Sequence, residues 1–398
     1  MPIKPRVIET KKILASPDSL SAILAVAVDP VQSLNPQPPP SNGDSFYIVS
    51  YLEGKGYKFT VLFHLMVLHA IPRYDIPAPA ALLGVSVLDE AVTPPVYYPF
   101  TEIADMGLAK TNVSPGLDIR IIDGEVSASL SGTIDALKIT ANLPAPTPAP
   151  TPPAGSSPLV LDLEMKAFGP IFNYLGAGII PFSQGIDYEY ALPCMTTTGT
   201  LTLKGRGYDV KGTSWLDREW GDFAPAQWTW MSIQLCNGVQ IAVWNQLRLS
   251  SSTRYVGDQA FATILHCNDD VSVTPVTIVE TSVETSLNGA GTYPNSWKVT
   301  ISDRAELTVK TLVDGQQIKS NLVPRMEAKC SVEGTYEGHD VDIEGSRAFV
   351  EVAKIQLPPP ALTATLTPAP TPAAPTAAST LAPTPAAATA AKSSASTV

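Results

Sequence analysis

The chain reads as an all-β protein made of two sheets or barrels, and three observations predict this. Apolar and polar residues alternate in short runs along most of its length, as in strands that bury one face. Gly-containing turn signals separate the runs, and long helical periodicity is missing. The runs number about sixteen, more than a single barrel or sandwich sheet uses.

The elements follow in order. "MPIKPRVIETKKILASPDSLSAILAVAVDP" opens the chain. It predicts one helix near Ser16–Val28, capped by Ser16 with Pro17 in its first turn. Its apolar run is short and Pro17 and Asp18 interrupt the approach to it, so it makes a poor signal peptide and a cytoplasmic location is expected. No run reaches the length of a spanning helix, so no integral membrane segment is expected. "NPQPPPSNGD" is a Pro-rich connection that ends the N-terminal segment, residues 1–44. "SFYIVSYLEGKGYKFTVLFHLMVLHA" is a hairpin around "EGKG". "DIRIIDGEVSASLSGTIDALKITANL" and "GTLTLKGRGYDVKGTSWLD" add further strands, and "WTWMSIQLCNGVQIAVWNQLRL" is two strands joined at Asn237–Gly238. "NSWKVTISDRAELTVKTLV" and "MEAKCSVEGTYEGHDVDIEGSRAFVEVAKI" complete the folded body. These runs divide into a first β domain, 45–211, and a second, 212–357. A Pro/Ala/Thr tract at 144–158 is expected as a surface loop and another at 358–398 as a disordered tail, because neither buries enough apolar surface to offset its ordering entropy. Truncation after Leu357 is therefore expected to leave folding intact.

Composition narrows the function. A net charge of -11 argues against a nucleic-acid surface. The four Cys form no CxxC pair, so neither a zinc site nor any other metal centre is expected. A disulfide stays open beside the plainer reading of free buried thiols. The four His form no metal-ligand spacing, and His64 and His69 read first as satisfied histidines of a barrel wall. Ser-His-Asp and phosphate-loop patterns are missing as well.

One stretch stands apart. Of six Trp, five fall between Trp215 and Trp244, and Asp217, Arg218 and Glu219 lie between two of them. Strand alternation places Trp215, Asp217 and Glu219 on one face and Arg218 and Trp220 on the other. It likewise groups Trp228, Trp230, Ser232 and Gln234, and across the turn Gln240, Ala242, Trp244 and Gln246, opposite aliphatic faces. A Trp-rich face with a few amides and hydroxyls suits a barrel pocket for an apolar, partly oxygenated ligand. The same residues also suit a wide core, with the charged triplet as a buried ion-pair network at a junction, and for the triplet this structural reading weighs more.

"VKGTSWLDREWGD" with "QWTWMSIQLCNGVQIAVWNQLR" resembles the lipocalin-like hydroxyneurosporene synthase (carotenoid hydratase) and AttH-like family, which carries a similar Trp-x-Asp-x-Glu-Trp-Gly stretch and a following aromatic strand. "SFYIVSYLEGKGYKFTVLF", "YALPCMTTTGTLTLKGRGYDVKG", "YPNSWKVTI" and "EGTYEGHDVDIEGSRAFVEV" agree in order, so that the resemblance covers residues 45–355. Two features depart from the family: Phe46 and Tyr47 stand where it often has a Trp pair, and the 144–158 tract is an insertion. The resemblance implies two packed lipocalin-like antiparallel β-barrels with a ligand cavity in or between them. It also implies either a hydratase acting on isoprenoid double bonds or a fungal cyclase of the [4+2] type.

The expected activity is a cofactor-independent pericyclase, a Diels–Alderase of secondary metabolism that positions an apolar small molecule; such a reaction asks chiefly for orientation. The alternatives are a hydratase or dehydratase, with Asp217 or Glu219 as general acid, and a non-catalytic carrier. Against the acid role stands Arg218, whose cation would keep adjacent carboxylates ionised. Asp217, Glu219 and Arg218 are the expected catalytic group, and Trp215, Trp228, Trp230, Trp244, Gln246, Gln234, His64 and Tyr47 the expected substrate contacts.

Overall fold

A computed structural model describes residues 12–13, 27–37, 41–69, 80–105, 110–111, 116–144, 158–182, 185–221, 227–249, 255–287, 291–318 and 324–354. The expected helix near Ser16–Val28, the 144–158 loop and the 358–398 tail fall almost wholly outside the described residues. A short helix, α1, occupies Pro30–Ser33, capped by the Asp29 carboxylate on the Val31 N–H.

Ten long strands form the first sheet. They are β1 (Gly43–Gly54), β2 (Tyr57–Leu68), β3 (Ala80–Asp89), β4 (Val96–Asp105), β5 (Leu117–Asp123), β6 (Val126–Thr133), β7 (Ala136–Leu143), β8 (Leu159–Ala167), β9 (Gly185–Leu203) and β10 (Arg206–Gly221). Their order across the sheet is β4-β3-β2-β1-β10-β9-β8-β7-β6-β5. The expected hairpin turn is present, with Gly56 at φ 78° between β1 and β2. Val85 and Phe63 from one half of this sheet and Leu117, Ile139 and Leu163 from the other join a single apolar cluster, so the sheet wraps around one core.

Among the described residues, eight long strands form the body of the second sheet: β11 (Gln227–Gln234), β12 (Gln240–Leu249), β13 (Tyr255–Leu265), β14 (Val271–Thr285), β15 (Thr292–Ile301), β16 (Ala305–Thr311), β17 (Arg325–Tyr336) and β18 (Arg347–Lys354). They pair antiparallel in the order β14-β13-β12-β11-β18-β17-β16-β15, and β15 pairs back on β14, which closes the barrel. The expected domain change at 211/212 falls inside β10, which belongs wholly to the first sheet, and the chain changes sheet only after Gly221. β10 pairs with β1 from Gly43 to Glu53, so the strand carrying Asp217 is central in that sheet.

The barrel interior is filled. Met231, Ile233, Ile241, Val243, Ile264, Val299, Leu307, Met326, Ala328 and Val350, from around the ring, meet in one aliphatic core together with Trp297. The Trp-rich faces of β11 and β12 are therefore outside the barrel, which corrects the expectation of a pocket within it. That outer wall packs on β9, β10, β1 and β2 of the first sheet, where Tyr47, Val49, Leu62, Trp215, Trp230, Trp244 and Phe349 form a third cluster. The consequence appears in the burial patterns. Strand β8, covered on one side only, alternates between buried and exposed, whereas β1 is buried through ten successive residues because both its faces are covered.

Candidate functional site

The site is built where the barrel wall meets the first sheet. From β10, Trp215, Asp217 and Glu219 face the barrel, while Leu216 and Trp220 join the sheet's own core. Glu189 on β9 stands directly opposite Glu219, and Tyr47 on β1 opposite Asp217. From the barrel, Trp244, Trp230, Glu351 and Glu327 occupy one row across β12, β11, β18 and β17.

Indole N–H groups reach carboxyl groups throughout this interface. Trp215 Nε1 donates to Asp217 Oδ1 at 2.9 Å, Trp228 Nε1 to Glu351 Oε2 at 3.0 Å, and Trp244 Nε1 to Glu189 Oε2 at 2.7 Å. Trp230 Nε1 donates at 3.0 Å to the Tyr174 hydroxyl, which donates in turn to Asp217 Oδ1 at 3.0 Å. Tyr174 is brought here by a tight turn after Asn173, where Leu175, Gly176 and Gly178 take positive φ. A Cβ on Gly178 would lie 2.9 Å from the Glu189 carbonyl oxygen, so this position needs glycine.

Arg325 supplies the positive charge on the barrel side. Its Nε donates to Glu327 Oε1 at 2.7 Å and lies 3.8 Å from Glu351 Oε1. Tyr47 donates its hydroxyl to the other Glu327 oxygen. Arg325 also approaches His64 Nδ1 at 3.4 Å, and His64 Nε2 meets Ser45 Oγ at 2.9 Å. Gly84 makes room for this guanidinium, since a Cβ there would stand 2.8 Å from it. His64, Glu327 and Glu351 bring potential ligand atoms within 4.8 Å of one another. Arg325 already lies against all three, so the group does not fit a cation.

Burial dominates the titration of the cluster. It raises Asp217 well above the usual carboxylate range, and Glu219 and Glu351 push it further while the Trp215 and Tyr174 donors oppose. Burial also raises Glu189, helped by Asp217 and Glu219. Glu219 is pushed up to about 8 by burial and then by Glu351, with Asp187 and Arg218 opposing. Glu327 and Glu351 are raised by burial against the pull of Arg325. His64 is held well below its ordinary value by burial and Arg325, and is neutral. Five carboxyl groups, four buried and Glu219 half-buried, thus gather with Arg325 among them, an arrangement that raises the titration of each.

Most of the expected residues meet here: Asp217, Glu219, Trp215, Trp228, Trp230, Trp244, Tyr47 and His64. Gln246 lies beside Trp228 in register, 1% exposed, with both amide atoms unpartnered among the described residues. Arg218 does not belong to the site. It points to the opposite face, pairs with Asp44, and donates to the carbonyls of Ser33, Leu34 and Asn35 at 3.1, 3.2 and 2.8 Å. The ion-pair network expected of the triplet is thus replaced by a link between Arg218 and the N-terminal segment, because alternation turns it away from both acids. Gln234 sits farther along the wall, accepting from Arg347 Nε at 2.5 Å. Glu189, Glu327, Glu351, Arg325 and Tyr174 escaped the sequence reading. The available signal was an acidic residue set between aliphatic ones, as in "RMEAKC" and "AFVEVAK", but such residues ordinarily face solvent.

The four Cys are free. Among the described residues no helix is long and apolar enough to cross a membrane. The chain is 24% identical over 291 residues to kievitone hydratase of Fusarium solani subsp. phaseoli, covering 70% of this chain and 73% of that protein. Its fold is similar to the crystal structure of kievitone hydratase from Nectria haematococca, with a TM-score of 0.64 at 20% identity over 88% of this chain and 98% of that one. A crystal structure of an AttH-type protein from Nitrosomonas europaea is similar at TM-score 0.64 and 16% identity, covering 83% of this chain and 98% of the other. Residues 156–353, which run from the strands bearing Glu189 and Asp217 through the barrel to Glu351, match the AttH-like family, and the chain belongs to that family.

Proposed function

We propose that the protein is a cofactor-independent hydratase or dehydratase that adds water to, or removes it from, an isoprenoid-type alkene of an apolar natural product. The observation that carries this reading is the set of buried carboxyl groups bearing indole N–H donors, with Arg218 turned away from them. A cycloaddition needs orientation but no proton, and burying this many acids for orientation alone would cost several kcal/mol without return. Similarity to a hydratase supports the same choice.

In the hydration direction, the Glu219 or Asp217 carboxyl gives its proton to the less substituted alkene carbon. The tertiary cation forms beside the Trp228, Trp230 and Trp244 rings, whose faces attract positive charge. Water adds to the cation and passes a proton back to the carboxylate that gave one, which restores the acid. The product is the alcohol, one water heavier than the alkene, and dehydration follows the same steps in reverse. Glu219 suits the acid role because it is only part-buried and titrates near the operating range.

The [4+2] cyclase reading draws on one observation, the unpartnered Gln246 amide, which can polarise a carbonyl beside Trp228. A panel of prenylated phenols incubated in 18O-labelled water separates the two. A product heavier by one labelled water supports hydration, whereas an isomer of the substrate with no label sinks it in favour of cyclisation.

A further inference from the structure

A second polar group lies farther along the same interface. Lys329 on β17 and Arg347 on β18 extend from the outer wall of the barrel toward Tyr51 of β1. The Lys329 Nζ stands 4.5 Å from the Tyr51 ring centre and the Arg347 guanidinium 4.1 Å from it. Lys329 is 5% exposed, Tyr51 6% and Ser232 0%. The Tyr51 and Ser232 hydroxyls lie against each other, and neither oxygen has a further partner among the described residues. Arg347 is held in place by Gln234 and Thr213, and it is half-buried.

Neither cation forms an ion pair with a carboxylate among the described residues. The acids that act on them at longer range are Glu90 and Glu53. Glu90 is already taken by Lys58 at 3.4 Å and the Thr60 hydroxyl at 2.6 Å. Burial lowers Lys329 to about 7, with Glu90 opposing and Arg347 and Lys58 adding to the effect. A buried cation with no carboxylate beside it is costly, and two adjacent cations with a hydroxyl pair that has no further partner are complementary to an oxyanion.

We propose that Lys329, Arg347, Tyr51 and Ser232 form an oxyanion subsite that binds the phenolate or carboxylate end of the substrate. The subsite rests on the proposed function only in assigning that oxyanion to the substrate. Tyr51 is four residues along β1 from Tyr47, which stands opposite Asp217, ~13 Å. The substrate class is therefore an apolar molecule whose ionisable oxygen lies ~13 Å from its reacting alkene.

The test uses the full-length protein with 4-nitrophenol, benzoate and neutral nitrobenzene as probes. Wild type is expected to bind 4-nitrophenol with its ionisation shifted to lower pH, seen in the phenolate absorbance, and benzoate is expected to displace it. Lys329→Met and Arg347→Met each weaken both anions about tenfold or more and leave nitrobenzene unchanged, while Lys329→Arg retains binding. Lys329→Met melts at or above the wild-type temperature, because it removes an unpaired buried charge. If the Met variants do not fold, competition on the wild type alone decides: displacement of nitrophenolate by benzoate and not by nitrobenzene supports the subsite. Equal binding of all three probes by wild type and variants, or no anion binding by wild type, overturns it. No turnover is involved, so loss of the subsite and failure of the hydratase reading register separately.

Discussion

Trp244 donates its indole N–H to the Glu189 carboxyl at 2.7 Å, from the barrel wall to the first sheet. The pair joins residues on β12 and β9 and fixes the relative position of the two sheets at the carboxyl cluster. It also explains why Trp recurs here. Indole combines a large apolar body with one donor, so it fills a buried interface and still satisfies a buried acid.

Glu219→Gln and Asp217→Asn preserve shape and remove the transferable proton. For Glu219→Gln, kcat/KM is expected to fall about 10²–10⁴-fold while the melting temperature holds or rises, since the residue is destabilised as an anion. Asp217→Asn should lose a comparable factor, because its amide oxygen still accepts from the Tyr174 hydroxyl and the Trp215 indole while the transferable proton is gone. A Glu219→Gln protein with full activity eliminates Glu219 as the acid.

Stability should fall as pH rises from about 4.5 to about 8. Glu219 is raised in the folded state to about 8, so across this window the native protein binds more protons than the unfolded chain. Stability is therefore greatest below the unfolded value and declines with a slope of up to about 1.4 kcal/mol per pH unit for each such group. Denaturant titrations at several pH values measure the slope, and Glu219→Gln flattens it. Activity requiring protonated Glu219 falls on the alkaline side of about 8.

Arg218→Met leaves Asp44 buried without its guanidinium, and the carbonyls of Ser33, Leu34 and Asn35 without their donor. The expected loss is about 3–5 kcal/mol of stability. The folded fraction retains its kcat, because Arg218 faces away from the cluster. A stable but inactive Arg218→Met protein overturns this assignment.

Gly84→Ala puts a methyl group 2.8 Å from Arg325 and displaces the guanidinium from Glu327 and His64. The expected result is a stability loss of about 1–3 kcal/mol and a drop in kcat larger than the change in KM. Arg325→Met should reproduce the kinetic effect, since it leaves Glu327 and Glu351 facing each other without a cation.

Trp230→Phe keeps a ring but removes the donor to the Tyr174 hydroxyl. A modest loss of stability, about 1–2 kcal/mol, is expected for the missing hydrogen bond and volume. The product ratio or rate should change, which steady-state kinetics with product analysis reads directly.

Alternation in the sequence determined the strands, the Asn237–Gly238 turn and the two-face grouping of the Trp window. Trp215, Asp217 and Glu219 do share one face, Arg218 and Trp220 the other, and Trp228, Trp230 and Trp244 are separated from Met231, Ile233, Ile241 and Val243 as a period of two requires. What alternation leaves undetermined is which face ends inside. Barrel closure through the β14–β15 pairing put the aliphatic face within, and docking on the first sheet covered the Trp face from outside. Only the tertiary structure could bring Tyr47 to Glu327, 280 positions apart, or turn Arg218 toward Asp44, 174 positions away. The physical reason is that strand period is a local property of the backbone, whereas the partner that covers a face is chosen by long-range packing. Glu327 and Glu351 show the difference: in sequence they resemble solvent-facing positions of amphipathic strands, and their carboxyl groups titrate higher than usual because a second sheet covers them.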